Sequence, residues 1–409
     1  MDKSHSAISS AFGPTTASYM QLTGTPFLQM LTTELLHNRP DDPEEFTFAM
    51  LSRMLDKQQP VLAAAGAPSS PAPPASPSPP PYSPSPFTVA SPSDPPLGRH
   101  SGPKASSLTV FHFNDVYNIE GQSLEPTGGA ARFVSKLASL KSTLLSSSPS
   151  SPAPLVLFSG DAFNPSLMST VTKGKQMVPV LNACTVDAAC VGNHDLDFGL
   201  DICEDLTRCC DFPWLLSNVK YIPTGRNLAE GETTVVIERG GRRVGIMGLV
   251  EYDWMATLAT IDECDVDFEP FIACARRLSK FLREDEKCDC VLALTHMRVP
   301  NDELLARECG DVLDLILGGH DHHYAVKKIG EHGCYVVKSG TDFRDLTSLE
   351  LAFEDKDDGS CGVSVKVKQQ SRGEAAQKQQ TVEEFVGNWI QCCEKCPGRR
   401  PLHGSLYVY

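Results

Sequence analysis

The sequence lacks two things, and each absence removes a class of function. No uncharged apolar run in the 409 residues is long enough to cross a bilayer. The amino terminus, MDKSHSAISSAFGP, has none of the apolar length that a secretory signal needs. Positive charge is also scarce: 36 Lys and Arg face 51 Asp and Glu, a net charge of -15. That balance excludes general affinity for nucleic-acid polymers or for an anionic membrane surface. Cysteine is plentiful at fifteen residues, but its doublets and clustered runs lack the regular spacing of a disulfide framework, so free thiols are expected. Cys393, Cys396 and His403 lack the second cysteine pair that a zinc site of this type would require. These features describe a soluble intracellular protein without a membrane span.

Composition divides the chain. Residues 58–107 are dense in Pro, Ser and Ala with little to bury, and read as a disordered linker. Before it, residues 18–57 break at NRPDDP into two short helical patterns, with Thr25-Pro26 and Asp42-Pro43 as start signals. Leu28, Leu31 and Leu35 share one side of the first helix; Phe46, Met50 and Met54 recur every four residues in the second. Helices this short bury such faces by pairing, so a dimeric four-helix bundle with a groove for an amphipathic helix is expected.

From Leu108 onward, apolar runs end in polar clusters: LTVFHFND, APLVLFSGD, DAACVGNHD, DCVLALTH and VLDLILGGHDHH. Runs of this kind suit buried strands of an α/β fold, where strand ends assemble sites. A lone Asp after a strand is ordinarily a cap, and a lone His a satisfied polar group. Collectively, Asp115, Asp161, Asn193, His296, His320 and His322 offer an oxygen and nitrogen donor set suited to zinc, manganese or iron. Two cations sharing a carboxylate would clamp a phosphate and hold a bridging hydroxide, lowering the pKa of its parent water toward neutrality.

The ordered motifs FNDVY, SGDAFNPS, GNHDLDFG, THM and GGHDHH resemble the calcineurin-like metallophosphoesterases, and within them the 5'-nucleotidase branch. GGAARF at 128–133 and SNV at 217–219 are similar to that branch too. The resemblance covers residues 108–355 and implies a four-layer αββα sandwich, with a C-terminal extension over 356–409. It also implies that Asp161 bridges two divalent or mixed-valence metal ions, Zn, Mn or Fe. Asp115 and His322 would complete the first site, and Asn193, His296 and His320 the second. His194 would stabilise or protonate the phosphoryl transition state, with Asp197 fixing its direction. Asp195 is left between support of the site and simple loop capping. The implied activity is metal-dependent hydrolysis of a phosphomonoester, a nucleotide among the candidates.

The chain departs from this pattern in two places. Where the family has Asp-x-His, this sequence reads DVY, so Tyr117 replaces a first-metal ligand. The alternatives are phenolate bound to trivalent iron, a water in the imidazole's place, or one tightly held metal. Secreted and periplasmic 5'-nucleotidases carry a second large domain that grips the nucleoside; residues 356–409 are expected to be too few for it, the sequence being either naturally short or truncated. An alternative reading is therefore a catalytically weak or inactive phosphoesterase-fold scaffold. The order Thr-Pro, leucine-rich helix, HNRPDDPEEF and second helix resembles the RIIa dimerisation and docking module of type II protein kinase A regulatory subunits. That resemblance implies a homodimer, docking to the amphipathic helix of an anchoring protein, and placement in a cilium or flagellum.

Overall fold

The computed structural model describes residues 87–89, 104–123, 126–148, 151–258, 260–357 and 360–372. The helical module expected over 18–57 lies outside the described residues, as do most of the expected linker and everything beyond 372.

The strands in chain order are β1 (Phe87–Val89), β2 (Ser107–Phe113), β3 (Leu155–Phe158), β4 (Ala188–Cys190), β5 (Trp214–Leu215), β6 (Val219–Tyr221), β7 (Arg226–Asn227), β8 (Thr234–Arg239), β9 (Arg242–Val250), β10 (Val266–Phe268), β11 (Cys290–His296), β12 (Leu315–Gly318), β13 (Tyr324–Ile329), β14 (Cys334–Ser339), β15 (Asp345–Asp355) and β16 (Cys361–Arg372). The α-helices are α1 (Ala130–Ser147), α2 (Leu167–Thr172), α3 (Met177–Ala183), α4 (Leu200–Arg208), α5 (Phe271–Glu284) and α6 (Val299–Cys309). One sheet runs β16-β15-β2-β3-β4-β5, another β1-β8-β9-β11-β12-β14-β13, and β10-β6-β7 form a small third. The centres of both large sheets are parallel: β2 through β5 in one, and β9, β11, β12 and β14 in the other.

The strand pleat explains why the central runs are apolar throughout. In β11, Leu292 and Leu294 join the core that includes Val110, Leu157 and Phe158 of the facing sheet. Val291 and Ala293 point the other way, into a second core with Leu278, Leu282 and Leu305 of α5 and α6. Phe133, Val134 and Leu137 of α1 cover the six-stranded sheet, where Phe133 packs on Phe113 with ring centroids 4.9 Å apart. This is a mixed α/β fold whose sheets are flanked by helices.

Two strands of the large sheets lie outside residues 108–355. Phe87–Val89, inside the stretch read as disordered linker, pairs parallel with β8. β16 pairs along the whole of β15, so the sheet continues to Arg372 instead of ending at 355. The limit at 355 is the extent of the family resemblance, and the edge hairpin gains backbone pairing beyond it. Among the described residues no helix is long and apolar enough to cross a membrane, and the described cysteines are free.

Candidate metal centre

The five strand-terminal motifs fall at the carboxyl ends of β2, β3, β4, β11 and β12, the parallel strands at the middle of the two sheets. Crevices outside such strand ends are where α/β sheets place their sites. Three of the residues have left-handed backbones: Asp115 (φ 53°), Asp161 (φ 63°) and His320 (φ 75°). Such conformations cost about 1–3 kcal/mol each and persist where the surroundings hold them.

One carboxylate oxygen each from Asp115 and Asp161, and one ring nitrogen of His296, lie within 4.8 Å of one another, and all three residues are buried. The backbone N–H of His194 donates to Asp161 Oδ1 at 2.8 Å, and Asp161 Oδ2 lies 3.2 Å from His296 Nε2. His296 Nδ1 faces the Ser159 carbonyl at 2.7 Å, which directs Nε2 toward the carboxylates. That nitrogen is fully buried and finds no hydrogen-bond partner of sound geometry among the described residues. A buried imidazole nitrogen that faces two carboxylates without a well-formed hydrogen bond is suited to ligation, and the donor set fits a metal ion.

His320 and Asn193 meet at the same place: Nδ1 of the one lies 3.1 Å from Oδ1 of the other, and the His320 N–H donates to Asp115 Oδ2 at 2.9 Å. His322 Nε2 lies 3.3 Å from Asp115 Oδ1. Tyr117 completes this side. Its hydroxyl is 2.8 Å from His322 Nε2 and 3.1 Å from both Asp115 Oδ1 and Asp161 Oδ2. The hydroxyl, His322 Nε2 and Asp115 Oδ1 lie 2.8, 3.1 and 3.3 Å from one another, so Tyr117 stands among the residues that would hold a first metal.

The electrostatics follow from burial. Burial alone would raise the Asp161 carboxyl, but the facing His296 and His194 hold it below the usual carboxylate range. Burial would lower His296, yet Asp161 and Asp115 raise it above the usual histidine range. Burial, with the two carboxylates adding to it, pushes the Tyr117 phenol well above its ordinary value. A concentration of buried negative charge is thus balanced by protons that a bound cation would displace.

Beside this cluster, His194 Nδ1 lies 2.8 Å from Asp197 Oδ2. Asp195 has a different task from its neighbours. Its carboxylate accepts the N–H groups of Asp161, Ala162, Phe163 and Gly192 at 2.8–3.1 Å, tying the turns after β3 and β4 together. Gly192 is required there by space, since a Cβ would collide with the Asp161 side chain and lie 2.5 Å from its backbone nitrogen.

Sequence reasoning missed three supporting side chains. Asn164 donates to Asp197 Oδ2 at 2.5 Å and accepts from Ser169 Oγ at 2.6 Å, so it holds the carboxylate that holds His194. Asn114 donates to Asp115 Oδ2 at 2.6 Å and takes the Ser339 N–H at 2.7 Å. Asp342 Oδ1 accepts the Tyr117 N–H at 3.2 Å. Asn114 and Asn164 stand within the FND and GDAFNP motifs, which was the available signal; Asp342 stands in none.

The model of the calcineurin-like phosphoesterase family matches residues 108–324, more than half of the chain. This chain belongs to that family. Calcineurin-like phosphoesterases use a dinuclear metal centre, and the carboxylate and imidazole cluster stands at the strand ends within the matched residues. Among curated relatives, an apyrase of Tabanus yao is 27% identical over 57% of this chain and 42% of its own length. The 5'-nucleotidase of Mus musculus is 28% identical over 54% of this chain and 39% of its own. The chain therefore spans about two fifths of the length of these relatives. Two solved structures share the fold. The 5'-nucleotidase precursor of Thermus thermophilus superposes with a TM-score of 0.57 at 23% identity, covering 70% of this chain and 59% of that one. The calcineurin-like phosphoesterase YfkN of Bacillus subtilis gives 0.55 at 21%, covering 71% and 96%.

Proposed function

We propose that this calcineurin-like phosphoesterase is a metal-dependent phosphomonoesterase of 5'-nucleotidase type. The observation that carries the reading is the buried convergence of Asp115, Asp161 and His296 beside the His194–Asp197 pair. Asp161 Oδ2 faces residues of both halves of the cluster, 3.2 Å from His296 Nε2 and 3.1 Å from the Tyr117 hydroxyl. Asp115, His322 and Tyr117 would hold one cation, and Asn193, His296 and His320 the other, with Asp161 shared. When bound, such cations polarise phosphoryl oxygens and make water nucleophilic near neutral pH. His194 donates a proton to, or hydrogen-bonds, the oxygens on which charge develops, and Asp197 fixes its ring so that Nε2 faces them. A nucleotide is the substrate class suggested by the 5'-nucleotidases among its relatives. A docking module at 18–57, expected from the sequence pattern alone, would tether the enzyme and concentrate it near substrates at its anchor.

The test is hydrolysis of an aryl phosphate by the full-length chain, stripped with chelator and then given manganese, zinc or iron. Turnover that returns with metal is expected. Folded protein that stays inactive with every metal removes the reading and leaves the scaffold alternative, which Tyr117 in the imidazole's place favours.

Tyr117 also makes a prediction about metal content. Tyr117→His restores the family's Asp-x-His pattern at a residue whose hydroxyl touches three of the assigned ligands. First-site affinity for zinc or manganese should rise by about tenfold or more, the scale on which ligand environments tune such sites. Equilibrium dialysis of both proteins measures it, and equal affinity would remove Tyr117 from the site.

A further inference from the structure

Behind the ligand loops lies a buried ion network to which nothing above assigns a task. Lys338, in β14, is completely buried. Its ammonium donates to the carbonyls of Met297, at 2.6 Å, and Gly319. It also lies 2.6 Å from Asp302 Oδ2 and 3.1 Å from Asp321 Oδ2. Each carbonyl belongs to a neighbour of an assigned ligand: Met297 follows His296, and Gly319 precedes His320. Asp321 stands between His320 and His322, and also accepts the Val299 N–H at 2.8 Å. Asp302, itself fully buried, takes the hydroxyl of Thr295, the residue before His296, at 2.6 Å.

The reach of this one side chain follows from strand order. β14 neighbours β12, and β12 neighbours β11, with Gly318 of β12 directly opposite Lys338. The side chain passes across Gly318, where an added Cβ would lie 2.7 Å from Asp302 Oδ2 and 2.9 Å from Lys338 Cε. Glycine at that position gives the ammonium its path to the loop beyond β11. Burial works against the charged form, but the two facing carboxylates outweigh it and hold the Lys338 pKa above its ordinary value. Stability is a poor reason for such an arrangement, because well-packed apolar side chains often replace a buried ion network at no cost. What an apolar group cannot do is hold two carbonyls and two carboxylates in one register.

We propose that Lys338 is a positioning residue that fixes the loops after β11 and β12 so that His296, His320 and His322 converge on one centre. The inference rests on the metal-site reading above. Its effect is on metal affinity and ligand geometry, with no contact between Lys338 and substrate.

Lys338→Met alone would leave the buried Asp302 carboxylate and the part-exposed Asp321 facing an apolar chain, so the informative protein is Lys338→Met with Asp302→Asn, which removes the innermost pair together. The full-length wild type and the double variant are stripped of metal, unfolded in urea, and, in separate folded samples, titrated with Co²⁺ by calorimetry and visible absorption. The metal-free proteins are expected to unfold at similar urea concentrations, while the variant binds Co²⁺ about 10–100-fold more weakly and with a changed absorption band. A folded variant with wild-type affinity and spectrum overturns the inference and leaves the metal-site reading intact. Absence of Co²⁺ binding by the wild type overturns both. If the double variant does not fold, Asp321→Asn decides, since that side chain is 25% exposed and one residue from two assigned ligands. It should weaken Co²⁺ binding about tenfold, and unchanged binding overturns the inference.

Discussion

Asp161→Asn should lose metal-dependent turnover by at least about 10³-fold while keeping its fold. The side chain is 1% exposed, and each of its oxygens is engaged by a different part of the cluster. Oδ1 takes the His194 N–H at 2.8 Å; Oδ2 lies 3.2 Å from His296 Nε2 and 3.1 Å from the Tyr117 hydroxyl. An asparagine has the same shape, but it has no charge, and its NH₂ must replace one of those acceptors. In either orientation it sets a donor against a donor or leaves a cation with one fewer anionic ligand. Both assigned sites should therefore weaken together, which metal analysis after dialysis reads directly beside kcat. Circular dichroism and urea unfolding of the metal-free proteins keep loss of ligation distinct from loss of structure. A variant with wild-type turnover and metal content would falsify the assignment of Asp161 as the shared ligand.

What could be read from the sequence has a physical basis. Each of the five strand-end motifs contains its own evidence: a run apolar enough for burial on both faces, then an abrupt polar group that such a strand would not otherwise carry. Leu292 and Val291 serve different cores, yet both are simply apolar in sequence. The supporting residues are different. Lys338 is a lysine after YVV in a strand, Asp302 a polar residue early in a helix, and Asp342 a turn residue; each reads as solvated surface. Their partners lie far away in sequence: Lys338 and Met297 are separated by 41 residues, Asp342 and Tyr117 by 225. No local period or spacing encodes such contacts, so burial of Lys338 is visible only once β11, β12 and β14 stand side by side. Asp195 is an intermediate case. Its motif marked it, but only the four N–H groups around it separate a loop tie from a group facing the reaction.

His194→Gln should lower kcat by about 10²–10⁴-fold, the range for loss of a positioned acid or base, with metal content unchanged. The ring is 38% exposed and so reaches the open side of the cluster, while its backbone N–H is committed to Asp161. Burial would lower its pKa, but the hydrogen bond and charge of Asp197, with Asp161, raise it above the ordinary histidine value. A raised pKa keeps the acid form present to higher pH. If His194 acts as that acid, kcat falls as pH rises through the pKa it has beside the bound cations, which the Asp197 hydrogen bond raises and the cations lower. Asp197→Asn removes the largest raising influence, so the alkaline limb should move to lower pH with a smaller loss at its optimum. Asn164→Ala acts one step further out: the Asp197 carboxylate loses a 2.5 Å partner but keeps its charge. The graded order His194, then Asp197, then Asn164 distinguishes a relay from three independent polar residues. An unmoved alkaline limb in Asp197→Asn would mean that the limb belongs to another group, and that His194 holds phosphoryl oxygen by hydrogen bonding without transferring a proton.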